Sequence, residues 1–202
     1  NYIMKKKDTF VKILPIIIII LIVIMAVIAL MSLGKAIFKN GGKKEPQVNA
    51  LEQALLATDA SRGVKMTVRG PIVAQENFRS YQIVITPSRR IITTYKGYLG
   101  EQISTKQLDN NLPAYEQFVN SLVKANLSKS KPFETENLNG ICATGTVTEF
   151  DVLQNNKSLA HIWTSTCKGS VGSLAASVDQ NKNLFLSQIP EYGKILSAAG
   201  IR

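Results

Sequence analysis

Apolar positions along the chain come first as one unbroken block and afterwards as short periodic runs. The block, from Ile13 to Leu33, reads ILPIIIIILIVIMAVIALMSL, twenty-one residues without a charge. At about 1.5 Å rise per residue it is roughly 31 Å long as a helix, enough to cross the hydrocarbon core of a bilayer. Pro15 falls in the first turn, where its missing N–H breaks no internal bond. The pattern predicts a transmembrane helix over residues 13–33, preceded by a short basic tail (residues 1–12). A linker follows (residues 34–46), in which Gly41, Gly42, Lys43, Lys44 and Pro46 argue against regular structure.

Beyond Pro46 the period changes several times. Val48, Leu51, Leu55 and Leu56 stand at helical spacing; Val64, Met66 and Val68 then alternate with Lys65, Thr67 and Arg69 as in a half-buried strand. The runs RSYQIVIT (79–86) and RIITTYKGYL (90–99), joined by Pro87-Ser88-Arg89, predict a hairpin. A three-residue loop sets Ile85 opposite Ile91, Ile83 opposite Thr93 and Tyr81 opposite Tyr95, with that face in the core. Over residues 111–127, Leu112, Tyr115, Phe118, Val119, Leu122 and Val123 form one helical stripe behind the start signals Asn111 and Pro113. A second hairpin pairs GICATGTVTEFDVL with KSLAHIWTSTC around Gln154-Asn155-Asn156. The last third places Leu174, Val178, Leu184, Phe185 and Ile189 at helical spacing, broken at Pro190, which predicts two short helices.

This order of elements predicts one α+β domain over residues 47–202, an antiparallel sheet packed against helices. Short turns in place of crossover helices argue against a doubly wound parallel sheet. A stretch of this length is enough to bury a sound core.

Charge changes the picture only at the membrane. The net charge is +10, but residues 1–44 hold eight lysines against one aspartate, which leaves sixteen Lys and Arg against thirteen Asp and Glu for the rest. Lysines beside a span are drawn to anionic headgroups at about 1 kcal/mol each, so the basicity needs no nucleic acid to explain it. Four lysines precede the span (Lys5, Lys6, Lys7, Lys12) and four follow it (Lys35, Lys39, Lys43, Lys44), so charge does not orient it. The apolar run exceeds the roughly 7 to 15 residues of a cleaved signal and lacks its small-residue exit, so retention is expected. A short tail ahead of one span and a long domain after it is the signal-anchor arrangement. It places the domain outside the cytoplasm, in the cell envelope.

Candidate chemistry is sparse. His161 is the one histidine, and no spacing of Cys, His and Asp supplies the three or four ligands of a zinc site, so no metal and no cofactor is expected. No Gly-x-Ser-x-Gly occurs, and Gly140 and Gly145 frame a superficially phosphate-loop-like stretch in which Thr146 stands where the lysine belongs. Glu149 and Asp151, two apart, share a strand face; they could seat a cation or an acid/base pair, but a solvated face is the commoner use of such a pair. Arg79, Arg89 and Arg90 could mark an anion site, and Tyr115 with Phe118 a stacking pair; solvated turns and core packing are the commoner uses. No catalytic residue is assigned.

The segments GVKMTVRGPIVAQENFRSYQIVITPSRR, AYEQFVNSLVKANL, GICATG, IWTSTC and LFLSQIP, spread over residues 63–190, resemble a group of membrane-anchored proteins from Saccharibacteria, ultrasmall bacteria that live on the surface of other bacteria. The resemblance implies a location and no catalytic residue. The expectation is therefore an envelope protein that meets membrane lipid through Ile13 to Leu33 and a protein or polysaccharide partner through its domain. The alternatives are a structural subunit of a multi-component envelope or secretion machine, or an enzyme acting on envelope polymers.

One pairing is predicted inside the domain, a disulfide between Cys142 and Cys167. A second hairpin centred between Gln154 and Asn155 sets Thr148 opposite His161, Thr146 opposite Trp163 and, continuing outward, Cys142 opposite Cys167. Directly opposed residues lie close enough for a disulfide after modest adjustment. The bond itself belongs to an oxidising compartment.

Overall fold

The computed structural model describes Met25 and residues 49–133 and 137–201. The predicted span lies, apart from Met25, outside the described residues, among which no helix is long and apolar enough to cross a membrane. Residues Val48–Arg202 form a compact unit of their own.

The spacing of Leu51 and Leu55 becomes helix α1 (Ala50–Leu56), started by Asn49, whose side chain accepts from Glu52 N at 2.8 Å. Strand β1 (Arg62–Arg69) follows, with Val64, Met66 and Val68 buried on one face. Strands β2 (Arg79–Ile85), β3 (Arg89–Lys96) and β4 (Glu101–Asp109) continue as a meander, and helix α2 (Leu112–Lys124) turns Tyr115, Phe118, Val119 and Leu122 inward. After a 3-10 turn at Leu127–Lys129 come β5 (Val147–Gln154) and β6 (Lys157–Ser165), then helices α3 (Val178–Leu186) and α4 (Tyr192–Ala198). The six strands make one sheet in the order β4-β3-β2-β1-β5-β6, every neighbouring pair antiparallel.

One sheet face carries the core. Val64, Met66, Ile83, Ile85, Ile92 and Ile162 are each at most 1% exposed there, beneath the helices. Phe185 of α3 is fully buried and sets its ring 5.1 Å from Phe118, edge to face, and 5.7 Å from Phe150. Fully burying a side chain of this kind stabilises by roughly 1.5–3 kcal/mol, so these rings lock α2 and α3 to β5.

The first hairpin forms as a pair of strands but in a different register from the expected one. Its loop has two residues, Pro87 and Ser88, closed by Thr86 N donating to Arg89 O at 2.8 Å, while Thr86 Oγ1 accepts from Arg89 N at 3.1 Å. Ile83 therefore faces Ile92 and Tyr81 faces Thr94, in place of Thr93 and Tyr95. With a side-chain period of two, that single-residue difference moves Ile92 and Thr94 into the core and turns Ile91 and Tyr95 to the other face. Strand β4, at one edge of the sheet, carries few apolar residues, and Ile103 is 41% exposed.

The second hairpin turns on Asn155 and Asn156, at φ 51° and 64°, the left-handed pair that a two-residue type I′ turn requires. Gln154 pairs with Lys157, and a bulge between Val152 and Leu153 shifts the ladder, so that Asp151 faces His161 and Glu149 faces Trp163. The expected partners of His161 and Trp163 were Thr148 and Thr146; both change. The strands stop at Val147 and Ser165, so Cys142 and Cys167 lie in loops beyond the sheet end. Their sulfurs are nevertheless joined, 2.07 Å apart with Cα atoms at 5.4 Å. The two loops converge because Gly145 lets them: a Cβ there would stand 2.1 Å from Thr166 Oγ1 and 2.9 Å from Cys142 Sγ.

Candidate functional site

On the face of the sheet opposite the helices, β1, β5 and β6 bring five ionisable side chains into a line. Lys65 sits opposite Asp151 on β5, and Asp151 sits opposite His161 on β6. Lys65 Nζ is 3.1 Å from Asp151 Oδ2, His161 Nδ1 is 3.0 Å from Asp151 Oδ1, and Ser158 Oγ donates to the same Oδ1 at 2.8 Å. Next along β5, Glu149 Oε1 accepts from Arg69 Nε at 2.7 Å and lies 2.6 Å from Nη2, while its Oε2 is 3.6 Å from His161 Nε2. The carboxylates expected on a solvated face are thus buried, Glu149 at 8% and Asp151 at 6% exposure. Two-residue spacing placed them on one face; only the neighbours on β1 and β6 decide that this face is closed by ion pairs.

Burial pushes the Asp151 carboxyl up, but the His161 hydrogen bond, the Lys65 ammonium and the Ser158 hydroxyl outweigh it and hold the group below its ordinary value. The hydrogen bond to Asp151 in turn raises His161, against the lowering effect of its own burial. This is a mutually neutralised ladder. A nucleophilic triad would need Ser158 on the imidazole nitrogen remote from Asp151. Instead serine and imidazole share one carboxylate oxygen, and the remote Nε2 faces Glu149. Among the described residues no group of three or more His, Cys, Asp and Glu is arranged to hold a metal ion.

The end of the sheet where β1 and β6 finish has a different character. The disulfide loop packs Leu138 and Cys142 with Val147 and Trp163, and Phe133 sets its ring 5.8 Å from that of Trp163. Ala143 O accepts from Ile72 N at 2.8 Å, tying this loop to the β1–β2 connection. That connection is stitched on its far side to the β3–β4 turn: Tyr98 OH donates to Val73 O at 2.6 Å, and its ring stacks on Phe78 at 4.2 Å. Ile72, Val73, Tyr98 and Leu99 remain exposed, at 48, 40, 49 and 94%.

Between this connection and α4 opens a cleft of about 440 Å³. Its walls are mostly apolar, from Val68 of β1, Leu186 of α3, and Tyr192, Leu196 and Ile201 at the C-terminal end. Among the described residues Arg79 and Lys182 are the charged ones that line it, and no Asp or Glu does. Arg79 donates Nε to Ala199 O at 3.1 Å and Nη1 to Glu76 O and Phe78 O at 2.7 and 3.0 Å. Tyr81, 2% exposed, also lines it, and its hydroxyl has no hydrogen-bond partner among the described residues. Burial, and secondarily the nearby Tyr192 phenol, push the Tyr81 hydroxyl well above the ordinary phenol range, so it stays a neutral donor.

Cys142 and Cys167 are brought together, as are Glu149, Asp151 and His161. Arg79 lies at the opposite end of the first hairpin from Arg89 and Arg90, so the three arginines form no common site; Arg90 instead donates to Asp109 O and Gln188 O. Tyr115 and Phe118 are core residues, 1 and 3% exposed. The cleft had no sequence signal, because Tyr81 reads as a strand aromatic and Lys182 as a helix-surface cation until the last helix closes over them. Compared with protein-family models and with curated proteins, the chain matches none.

Proposed function

We propose that this chain is a single-pass envelope protein, anchored by residues 13–33 with its domain outside the cytoplasm, and that the domain is a non-enzymatic binding module. The observation that carries the binding reading is the cleft beside α4: a concave, mostly apolar site with a few convergent polar groups is the usual form of a ligand site. The exposed apolar residues Ile72, Val73, Tyr98 and Leu99 at the same end support a contact surface there. The Cys142–Cys167 bond supports the outside placement, since disulfides persist in oxidising compartments. The uncharged run from Ile13 to Leu33 supports the anchor.

The test is a photo-cross-linking residue at Tyr98 in the full chain in native membranes, with the same residue at Asn120 on α2 as control. A discrete adduct from position 98 and none from position 120 is the expected result. Incorporation of the chain into a large stoichiometric complex would favour the machine-subunit reading. Hydrolysis of envelope polymer that is lost in Glu149→Gln and Asp151→Asn would overturn the non-enzymatic one.

A further inference from the structure

We infer that the cleft beside α4 binds a medium-chain acyl carboxylate, with the chain against Val68, Leu186, Leu196 and Ile201 and the carboxylate held by Lys182, the free edge of Arg79 and the Tyr81 hydroxyl. The inference rests on the cleft being the domain's binding site and names what it takes.

Charge gives the sign of the ligand. Among the described residues two cationic side chains line the cleft and no acidic one does. Among the described residues neither Arg79 nor Lys182 has a carboxylate partner: the three hydrogen bonds of Arg79 go to backbone carbonyls, which leave its charge uncompensated and its Nη2 donors unused. An anion entering here meets a guanidinium edge already fixed in orientation, the arrangement that suits a carboxylate.

Tyr81 gives the second, independent indication. Its hydroxyl is buried with no partner among the described residues; a group so placed forfeits its hydration for nothing, and such groups in folded proteins call for an explanation. Here the orphan belongs to a residue of the cleft wall, and because burial keeps it protonated it can donate to an anionic oxygen. The remaining wall is apolar, so the rest of the ligand is hydrocarbon. A polysaccharide would leave its hydroxyls unanswered on Val68, Leu186, Leu196 and Ile201. A cavity of about 440 Å³ suits a small single-chain amphiphile and is far smaller than a two-chain lipid needs.

The experiment titrates octanoate, decanoate and decanol into the full chain in phosphatidylcholine nanodiscs, with empty nanodiscs as baseline. Decanoate is expected to bind above baseline, roughly fifteenfold tighter than octanoate, since each buried methylene contributes about fourfold. Lys182→Gln is expected to weaken decanoate at least fivefold. Tyr81→Phe should weaken it several-fold while leaving the melting temperature of the ligand-free chain unchanged or higher, which a merely structural tyrosine would not do. Leu196→Trp, which fills the cleft, should abolish binding. Decanol binding as tightly as decanoate, with Lys182→Gln indifferent, would overturn the carboxylate assignment; a leucine-rich tripeptide acid binding more tightly than decanoate would overturn the acyl chain. Absence of any signal above baseline would overturn the inference altogether. The titration is read on the isolated chain, so it can fail while the cross-link at position 98 succeeds, and the reverse.

Discussion

Asp151 and His161 face each other directly across β5 and β6, and the imidazole Nδ1 stands 3.0 Å from the carboxylate Oδ1. The pair makes stability depend on pH in a defined direction. His161 is raised above 6.5 in the fold, so its contribution is complete below 6.5 and is lost as pH climbs through the higher folded value. Asp151 is lowered below 3.8, so its contribution is complete above 3.8 and is lost as pH falls through the lower folded value. Both are present between these limits. His161→Gln is expected to cost about 1.5–3 kcal/mol at pH 5 and clearly less at pH 9. Urea unfolding at the two pH values checks it; a cost independent of pH would contradict the pairing.

Arg69 and Glu149 are coupled in the same ladder. Arg69→Met alone leaves the Glu149 carboxylate buried without its main partner and is expected to cost about 3 kcal/mol or more. Pairing it with Glu149→Gln should recover much of that loss. A double-mutant cycle by urea unfolding measures the coupling, and simple additivity would show that the two side chains do not act as a pair.

The disulfide joins Cys142 to Cys167, a sequence separation of 25. Replacing both cysteines with serine is expected to lower stability by roughly 3.5 kcal/mol through the unfolded state. Intact mass after alkylation of unreduced protein from native membranes should show no modified cysteine. Two modified cysteines would remove both the bond and the support it lends to an outside domain.

Asn156 occupies the left-handed region at φ 64° in the second hairpin turn. Asn156→Gly is expected to be neutral or stabilising by a few tenths of a kcal/mol, and Asn156→Val to destabilise by about 1–2 kcal/mol. Thermal melts of the two variants should move apart, with Gly the higher.

Phe185 is fully buried against Phe118 and Phe150. Phe185→Ala is expected to cost about 3–5 kcal/mol by leaving a cavity between α3 and the sheet. Phe185→Leu should cost visibly less, and denaturant midpoints of the two variants check the order.

Element type was legible wherever periodicity was strong. Val64, Met66 and Val68 on β1 and the stripe from Tyr115 to Leu122 on α2 stand where their spacing placed them, and two short helices form either side of Pro190, although the first spans only Val178–Leu186 and leaves Leu174 and Ile189 outside it. Register was less legible, because it hangs on single loop residues. Arg89 belongs to the strand and not to the loop, and Asn155 with Asn156 makes a tighter turn than one centred before Asn155; each moves a whole strand's partners. The disulfide survived a mistaken register because the loops that carry it are guided by Gly145 and not by the ladder. Strand β4 escaped notice because an edge strand needs little apolar alternation. The ion ladder was half visible: Glu149 and Asp151 are neighbours in sequence, whereas Lys65, Arg69 and His161 reach them only through strand pairing.

The central position of β1 constrains how the domain can come into being. The sheet is two local meanders, β2-β3-β4 leading from β1 and β5-β6 arriving last, and the seam between them is β1 against β5. Arg69 pairs with Val147 across the whole of β2, β3, β4 and α2. Each meander can zip up locally within microseconds, but the seam requires closure of that long loop before any of its hydrogen bonds form. The ion ladder straddles this seam, joining Lys65 and Arg69 on one side to Asp151 and Glu149 on the other. In an emerging polypeptide, the first meander would thus wait with one edge of β1 open and its cations unpaired until the final hairpin arrives. Of the strand pairings in the sheet, joining the two halves is therefore the one that closes the longest loop.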